Sequence, residues 1–254
     1  MNKKKNQPLS TKERKDFVSE NFFANFDFSQ LKMTMEEMLK AGVHFGHKKS
    51  RCYPKMNIYI FTTKNGVSIF DLEKTLIKLQ SALEFLKKVK KENKQILFVG
   101  TKKQARYLLK SAAQRCEMPY VNERWLGGTF TNFKVIKKRV DYLKKEEEKQ
   151  EAGEFKKYTK FEQAQKKNEI EKLERKMGGI KNMTELPGAI FIVDPKENVT
   201  AIKEAQKVKL PVVALTDSNV DPSKIDYPIP ANDDAVSSLK LMLGYVCKTL
   251  LDEK

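Results

Sequence analysis

The chain has 254 residues, 40% of them hydrophobic and 33% charged, enough for one large domain or two ordinary ones. Its 50 Lys+Arg exceed 33 Asp+Glu, a net charge of +17, and such an excess is usually answered by nucleic acid or an anionic membrane surface. No stretch is apolar for long enough to span a bilayer, Lys3-Lys4-Lys5 is not followed by a signal-peptide core, and Cys52, Cys116 and Cys247 suit reduced thiols better than a disulfide framework, so the expectation is a soluble, cytoplasmic protein that uses no membrane.

Residues 1–34 read as an N-terminal extension, a disordered arm that docks through Phe17, Phe22, Phe23, Phe26 and Phe28, because they mix Lys and polar residues without a helical or strand period. Ile58-Tyr59-Ile60-Phe61 and Val67-Ser68-Ile69-Phe70 then flank Asn65-Gly66, a strong hairpin signal. Asp71 is placed to cap a helix whose Leu72, Leu76, Leu79, Leu83 and Leu86 fall on one stripe. Ile96-Leu97-Phe98-Val99 is a continuous apolar run, followed by Thr101 and Gln104, which match a capping box opening the next helix.

The alternation breaks between 131 and 177. Phe133, Ile136, Val140 and Leu143 repeat at three and four residues, a charged stretch with Gly153 follows, and Ile170, Leu173 and Met177 continue the seam on the way back. This pattern predicts an inserted antiparallel coiled-coil helical hairpin, closed by Gly178-Gly179. Strand–helix alternation resumes with Ala189–Val193, a helix over 199–208, Val212–Thr216 and a last helix after Asn232, with Asp233 and Asp234 in its first turn and Val236, Leu239, Leu243, Val246 and Leu250 on its stripe. Continuous apolar strands alternating with helices predict a parallel sheet covered on both faces. The α/β core domain is thus 35–130 with 178–254, and the hairpin insertion 131–177.

Charge is distributed unevenly. Residues 36–140 hold 23 Lys+Arg and 8 Asp+Glu, residues 141–183 hold 12 and 10, and residues 184–254 hold 8 and 11. A surplus confined to one block is the footprint of a binding face, and a lysine-rich one suits phosphates better than bases, because an ammonium is a point charge without the planar fork of a guanidinium. Three stretches carry it. His44–Lys55 interleaves Lys48, Lys49, Arg51 and Lys55 with Phe45 and Tyr53 in a loop. Gly100–Arg106 places Lys102, Lys103 and Arg106 where a strand meets a helix start, a favoured anion position. In Asn122–Phe133 Trp125 is expected to be structural and Arg124 to meet phosphate, as are Lys134, Lys137, Lys138 and Arg139 just beyond.

Catalytic groups are sparse. Neither G-x-G-x-x-G nor G-x-x-x-x-G-K-[ST] occurs. Asp194 and Asp217 each end an apolar strand, at the usual ligand edge of such sheets, and with His47 they could hold a divalent cation, although acids there also serve as caps and loop formers. An α/β enzyme acting on RNA or nucleotides through Asp194, Asp217 and His47 is therefore the rival reading.

The stretches Ala41–His47, Gly100–Ala105, Arg124–Thr129, Leu186–Ala189, Pro211–Asn219 and Ile229–Ala235 resemble, in order, signature stretches of the small ribosomal subunit protein two family. The resemblance runs from about Met35 to the C-terminus. It implies a flavodoxin-like three-layer parallel sheet carrying the inserted hairpin, and a non-enzymatic constituent of the small ribosomal subunit with no required cofactor. It also implies, as partners, small-subunit rRNA and neighbouring ribosomal proteins, including docking of ribosomal protein one; a homo-oligomer is not expected.

Overall fold

The computed structural model describes residues 22–24 and 26–252. In chain order the helices are α1 (Met35–Lys40), α2 (Leu72–Lys91), α3 (Arg106–Arg115), α4 (Phe133–Glu151), α5 (Lys160–Met177), α6 (Val199–Lys207) and α7 (Val236–Leu251). The strands are β1 (Phe45–Lys48), β2 (Ile60–Lys64), β3 (Val67–Phe70), β4 (Ile96–Val99), β5 (Tyr120–Val121), β6 (Ala189–Val193), β7 (Val212–Thr216) and β8 (Tyr227–Pro230).

Five strands form one parallel sheet in the order β5-β4-β6-β7-β8. Every residue of β4, β6 and β7 is buried, because successive side chains point to opposite faces and both faces are covered. Phe98, Phe191, Val213 and Ile229 join one core with Leu79, Leu83 and Leu86 of α2, Leu108 and Leu109 of α3 and Leu239, Met242 and Leu243 of α7. Leu97, Val99, Ile190, Ile192 and Ala214 join the other with Ala201, Ile202 and Ala205 of α6 and the base of the α4–α5 hairpin. The result is the α/β, flavodoxin-like, three-layer arrangement that the apolar runs and the resemblance predict.

The smaller sheet, β1-β3-β2, is antiparallel. Asn65 and Gly66 both take positive φ, 52° and 77°, as a tight hairpin whose turn matches the strand twist requires. Ile58 and Tyr59 lie in a 3-10 turn (Pro54–Tyr59) and not in the strand expected there. Thr101 and Gln104 do not cap α3 either: that helix begins at Arg106 without a side-chain cap, and the Thr101 hydroxyl faces Glu197 and Asn198. At the last helix Asp233 and Asp234 precede the first turn, since Asn232 Oδ1 already accepts from the Asp234 and Ala235 amides. Val236, at the open start of that helix, is 45% exposed.

α4 and α5 form the inserted hairpin. Ile136, Val140 and Leu143 share a core with Ile170, Leu173 and Met177, and Gly153 (φ +74°) makes the turn. Thr159 and Glu162 supply a reciprocal capping box for α5. At the hairpin's base a Cβ on Gly179 would collide with the Tyr120 carbonyl oxygen, so only glycine lets the returning chain pass β5 this closely.

The described part of the N-terminal segment is packed. Phe23 is fully buried, its amide donates to Ser111 Oγ, and Phe22, Phe26 and Phe28 surround it. Tyr245 Oη and Lys248 Nζ of α7 donate to the Lys32 and Leu31 carbonyls, both at 2.9 Å. Phe17 lies outside the described residues.

Candidate nucleic-acid interface

The basic loop is fastened to the carboxyl edge of the large sheet by a residue distant in sequence. Ser218, just beyond β7, accepts the His47 amide at its hydroxyl (2.8 Å) and the Tyr53 amide at its carbonyl (2.7 Å). A Cβ on Gly46 would lie 2.9 Å from Ser218 Oγ, so glycine is what permits this approach. Lys49 N–H donates to the Gly66 carbonyl of the β2–β3 turn, and Cys52 Sγ lies 2.9 Å from Ser68 Oγ. The backbone is thus held at several points while Lys48, Lys49 and Arg51 stand exposed, forming no ion pair among the described residues. Lys55 reaches back to Ser223 Oγ (2.7 Å) and Asp221 (3.7 Å).

Lys102 behaves differently from its sequence-predicted role. Its side chain is 13% exposed, and its ammonium lies 2.6 Å from Asp233, 2.6 Å from Asp234 and 3.4 Å from Asp194. Burial opposes its charge, but these carboxylates outweigh burial and hold its pKa above the ordinary lysine value. It is an internal counter-ion, screened from an external phosphate. Asp233 is pushed up to about 7 by burial and by its neighbours Asp194 and Asp217, against the pull of Lys102.

Of the predicted metal set, the structure brings together His47 and Asp217, with Nδ1 3.0 Å from Oδ1, and adds Asp234, whose Oδ2 is 3.5 Å from Nε2. Donor atoms of these three residues lie within 4.8 Å of one another. Asp194 is not in that group. It takes a positive φ (59°) at the end of β6, accepts the Lys196 and Glu197 amides on Oδ1 and turns Oδ2 to Lys102. The hydrogen bond to Asp217 raises the His47 pKa, with burial opposing and the nearby acids assisting.

One organising residue leaves no mark in the sequence. Glu204, buried on α6, accepts from Trp125 Nε1 (3.1 Å), the Gly128 amide (2.8 Å), the Phe130 amide (3.0 Å) and the Thr131 amide and hydroxyl (3.3 Å each). Burial pushes its carboxyl up, yet these donors together hold it below the ordinary value. Trp125 is 8% exposed and packs edge-on against Phe130, so it anchors the loop from inside. Arg124 next to it is exposed, as are Lys103, Lys134, Lys138 and Arg139. Arg106 instead pairs with Glu123 (3.3 Å), and Lys137 donates to the Thr184 carbonyl (3.1 Å).

Lys48, Lys49 and Arg51 therefore sit on a mount pinned by Ser218, and Arg124 beside one pinned by Glu204. Between them the carboxyl edge of the sheet is filled by Lys102 and its carboxylates. No helix among the described residues is long and apolar enough to cross a membrane. Residues 38–252 match the family model described as Ribosomal protein S2. The chain is 48% identical over 220 residues to the small ribosomal subunit protein uS2 of Dictyoglomus thermophilum, an alignment covering 87% of this chain and 89% of that protein.

Proposed function

The chain belongs to the ribosomal protein S2 family and is a structural constituent of the small ribosomal subunit, and from that premise we propose that its basic rim holds small-subunit rRNA through phosphates. The observation that carries this reading is the basic loop, whose backbone is pinned to the sheet edge while Lys48, Lys49 and Arg51 remain unpaired among the described residues. Fixing cations in advance lowers the ordering cost of binding, and lysines arrayed without bidentate geometry position RNA without reading its sequence. Lys55, Lys103, Arg124, Lys134, Lys138 and Arg139 extend this surface, whereas Lys102, Arg106 and Lys137 hold the fold that presents it.

The role is structural, not catalytic. The place where a sheet of this kind usually takes a ligand is filled by an internal ammonium and its carboxylates, which disfavours a nucleotide phosphate there. Neighbouring ribosomal proteins, ribosomal protein one among them, meet the remaining surface, and the hairpin braces RNA or protein during subunit assembly. No cofactor is required, but an imidazole with two carboxylates is a donor set that suits a divalent cation, and His47, Asp217 and Asp234 would hold it.

Sedimentation of a lysate through a magnesium-containing sucrose gradient tests the rRNA reading. Co-migration with small subunits, lost on stripping with high salt, is the expected result; a free light species in growing cells would remove it. Metal analysis of the dialysed protein tests the cation site, and a stoichiometry near zero counts against it.

A further inference from the structure

Counting charges along the chain makes residues 184–254 slightly acidic, and that hides a local basic group. Lys196, Lys203 and Lys224 are exposed around the mouth of a cavity of about 280 Å³ between α6 and the connection from β7 to β8. Its wall is apolar, built from Val199, Ile202 and Val220, and Tyr53 of the basic loop closes one side. The three lysines form no ion pair among the described residues. The one carboxylate in the lining, Asp221, is occupied: it accepts from Tyr53 Oη (3.1 Å) and from the Ser223 amide and hydroxyl, and it faces Lys55 at 3.7 Å. An apolar slot just below the size of ordinary small-ligand pockets has room for one planar ring system. Ringed by unpaired ammonium groups, it suits a ring that carries phosphates on either side.

Because Tyr53 belongs to both the basic loop and this cavity, and Lys55 of that loop faces Asp221 of its lining, the two form one continuous surface. That continuity, with the three unpaired cations, favours RNA over an acidic peptide. RNA-binding proteins commonly take splayed, unstacked bases into such slots. We propose that the cavity receives one unpaired nucleotide of RNA, its base against Val199, Ile202, Val220 and Tyr53 and its flanking phosphates on Lys196, Lys203 and Lys224. The proposal rests on the rRNA-binding reading and adds to it a base-accepting site whose cations lie outside the basic block of 36–140.

The test uses the full-length chain, with fluorescently labelled decauridylate and an abasic strand of equal charge as probes. The unaltered protein should prefer decauridylate, and Val199→Glu, a change at a half-exposed position, should erase the preference. Lys196→Ala/Lys203→Ala/Lys224→Ala should lower the slope of log affinity against log salt by about 2, at roughly 0.7 per phosphate contact on a single strand. Equal binding of both strands by the unaltered chain, or an unchanged slope in the triple variant, would overturn the proposal. In isolated small subunits, ultraviolet crosslinking should leave nucleotide adducts on Tyr53 or on residues 195–224, whereas a carbodiimide crosslink from Lys203 to an acidic residue of another protein would overturn it in favour of a peptide. Failure of the chain to co-sediment with small subunits strikes the ribosomal reading itself, and the oligonucleotide titration still decides the cavity.

Discussion

Lys102, on the loop after β4, and Lys48, the last residue of β1, are both cations near the same edge of the large sheet, yet they have opposite lives. Lys102 is enclosed by Asp194, Asp233 and Asp234, while Lys48 stands in solvent on a backbone held elsewhere. Residue type and neighbouring sequence do not separate them; what separates them is which distant carboxylates the fold delivers. A buried charge is costly to disturb because its partners are left without water, whereas an exposed one contributes little to folding and is free for a ligand.

The largest effect should come from the buried class. Glu204→Ala removes the acceptor shared by Trp125, Gly128, Phe130 and Thr131, and should destabilise the protein by about 3–5 kcal/mol in urea unfolding, since several buried donors lose their partner at about 1–3 kcal/mol for each that water does not reach. A loss under about 1 kcal/mol would mean that water replaces the carboxylate and that the loop needs no anchor. Next is Lys102→Met, which leaves three carboxylates facing one another and should cost about 2–4 kcal/mol. Because Asp233 is already pushed up to about 7, protonation relieves the repulsion, so the loss should be smaller at pH 6 than at pH 8. An equal loss at both values would show that the carboxylates find another counter-ion.

The pH dependence of the unaltered protein, freed of divalent ions by chelation, sharpens the same contrast. His47 and Asp233 both have folded-state values above their unfolded ones, so the folded form binds more protons across the window from below 6 to above 7. Their contribution to stability then falls as pH rises from 6 to 8, opposed by His44 alone of the two histidines, whose burial holds its folded-state value below the ordinary one, and thermal melts should show a lower midpoint at pH 8. If His47, Asp217 and Asp234 hold a divalent cation, adding it should raise the midpoint more at pH 8, where protons compete less. A midpoint that rises with pH would contradict the arrangement around Asp217. Smallest of all, Lys48→Ala or Arg139→Ala should change stability by less than about 0.5 kcal/mol. Each should nonetheless weaken RNA binding and flatten its salt dependence by about 0.7–0.9 of a unit of slope per contact.

The apolar runs at 96–99, 189–193 and 212–216 made the sheet legible, since a strand buried on both faces has few other ways to read. Asn65-Gly66 and Asp71 were legible because their roles are local. β8 was not, because Tyr227-Pro228-Ile229-Pro230 looks like a breaker. It is an edge strand, where a proline without an amide hydrogen can stand, with Pro228 beside Ala214 and Pro230 beside Thr216. β5, two residues long, carries too little pattern to notice. At the site, the phosphate-like setting of Lys102 and the acid at the end of β6 were visible, but their mutual pairing was not, because the Lys102 carboxylates come from 92 to 132 positions further along. Glu204 was hidden as one polar residue on an amphipathic helix. Lys196, Lys203 and Lys224 were averaged away among acidic neighbours.

The fastening of the basic loop by Ser218 also sets an order of events. Synthesis delivers the N-terminal half first, so the loop at 44–55 emerges long before the serine that fixes it, and the Phe23 segment waits longer still for α7. A nascent chain of this protein holds its cations only on the small β1-β3-β2 sheet, without their fastening to the large one, until nearly the whole polypeptide has left the exit tunnel. A product truncated before Asp217 would keep most of the positive charge without the Ser218 fastening that fixes it to the large sheet, and would attach itself to any polyanion within reach.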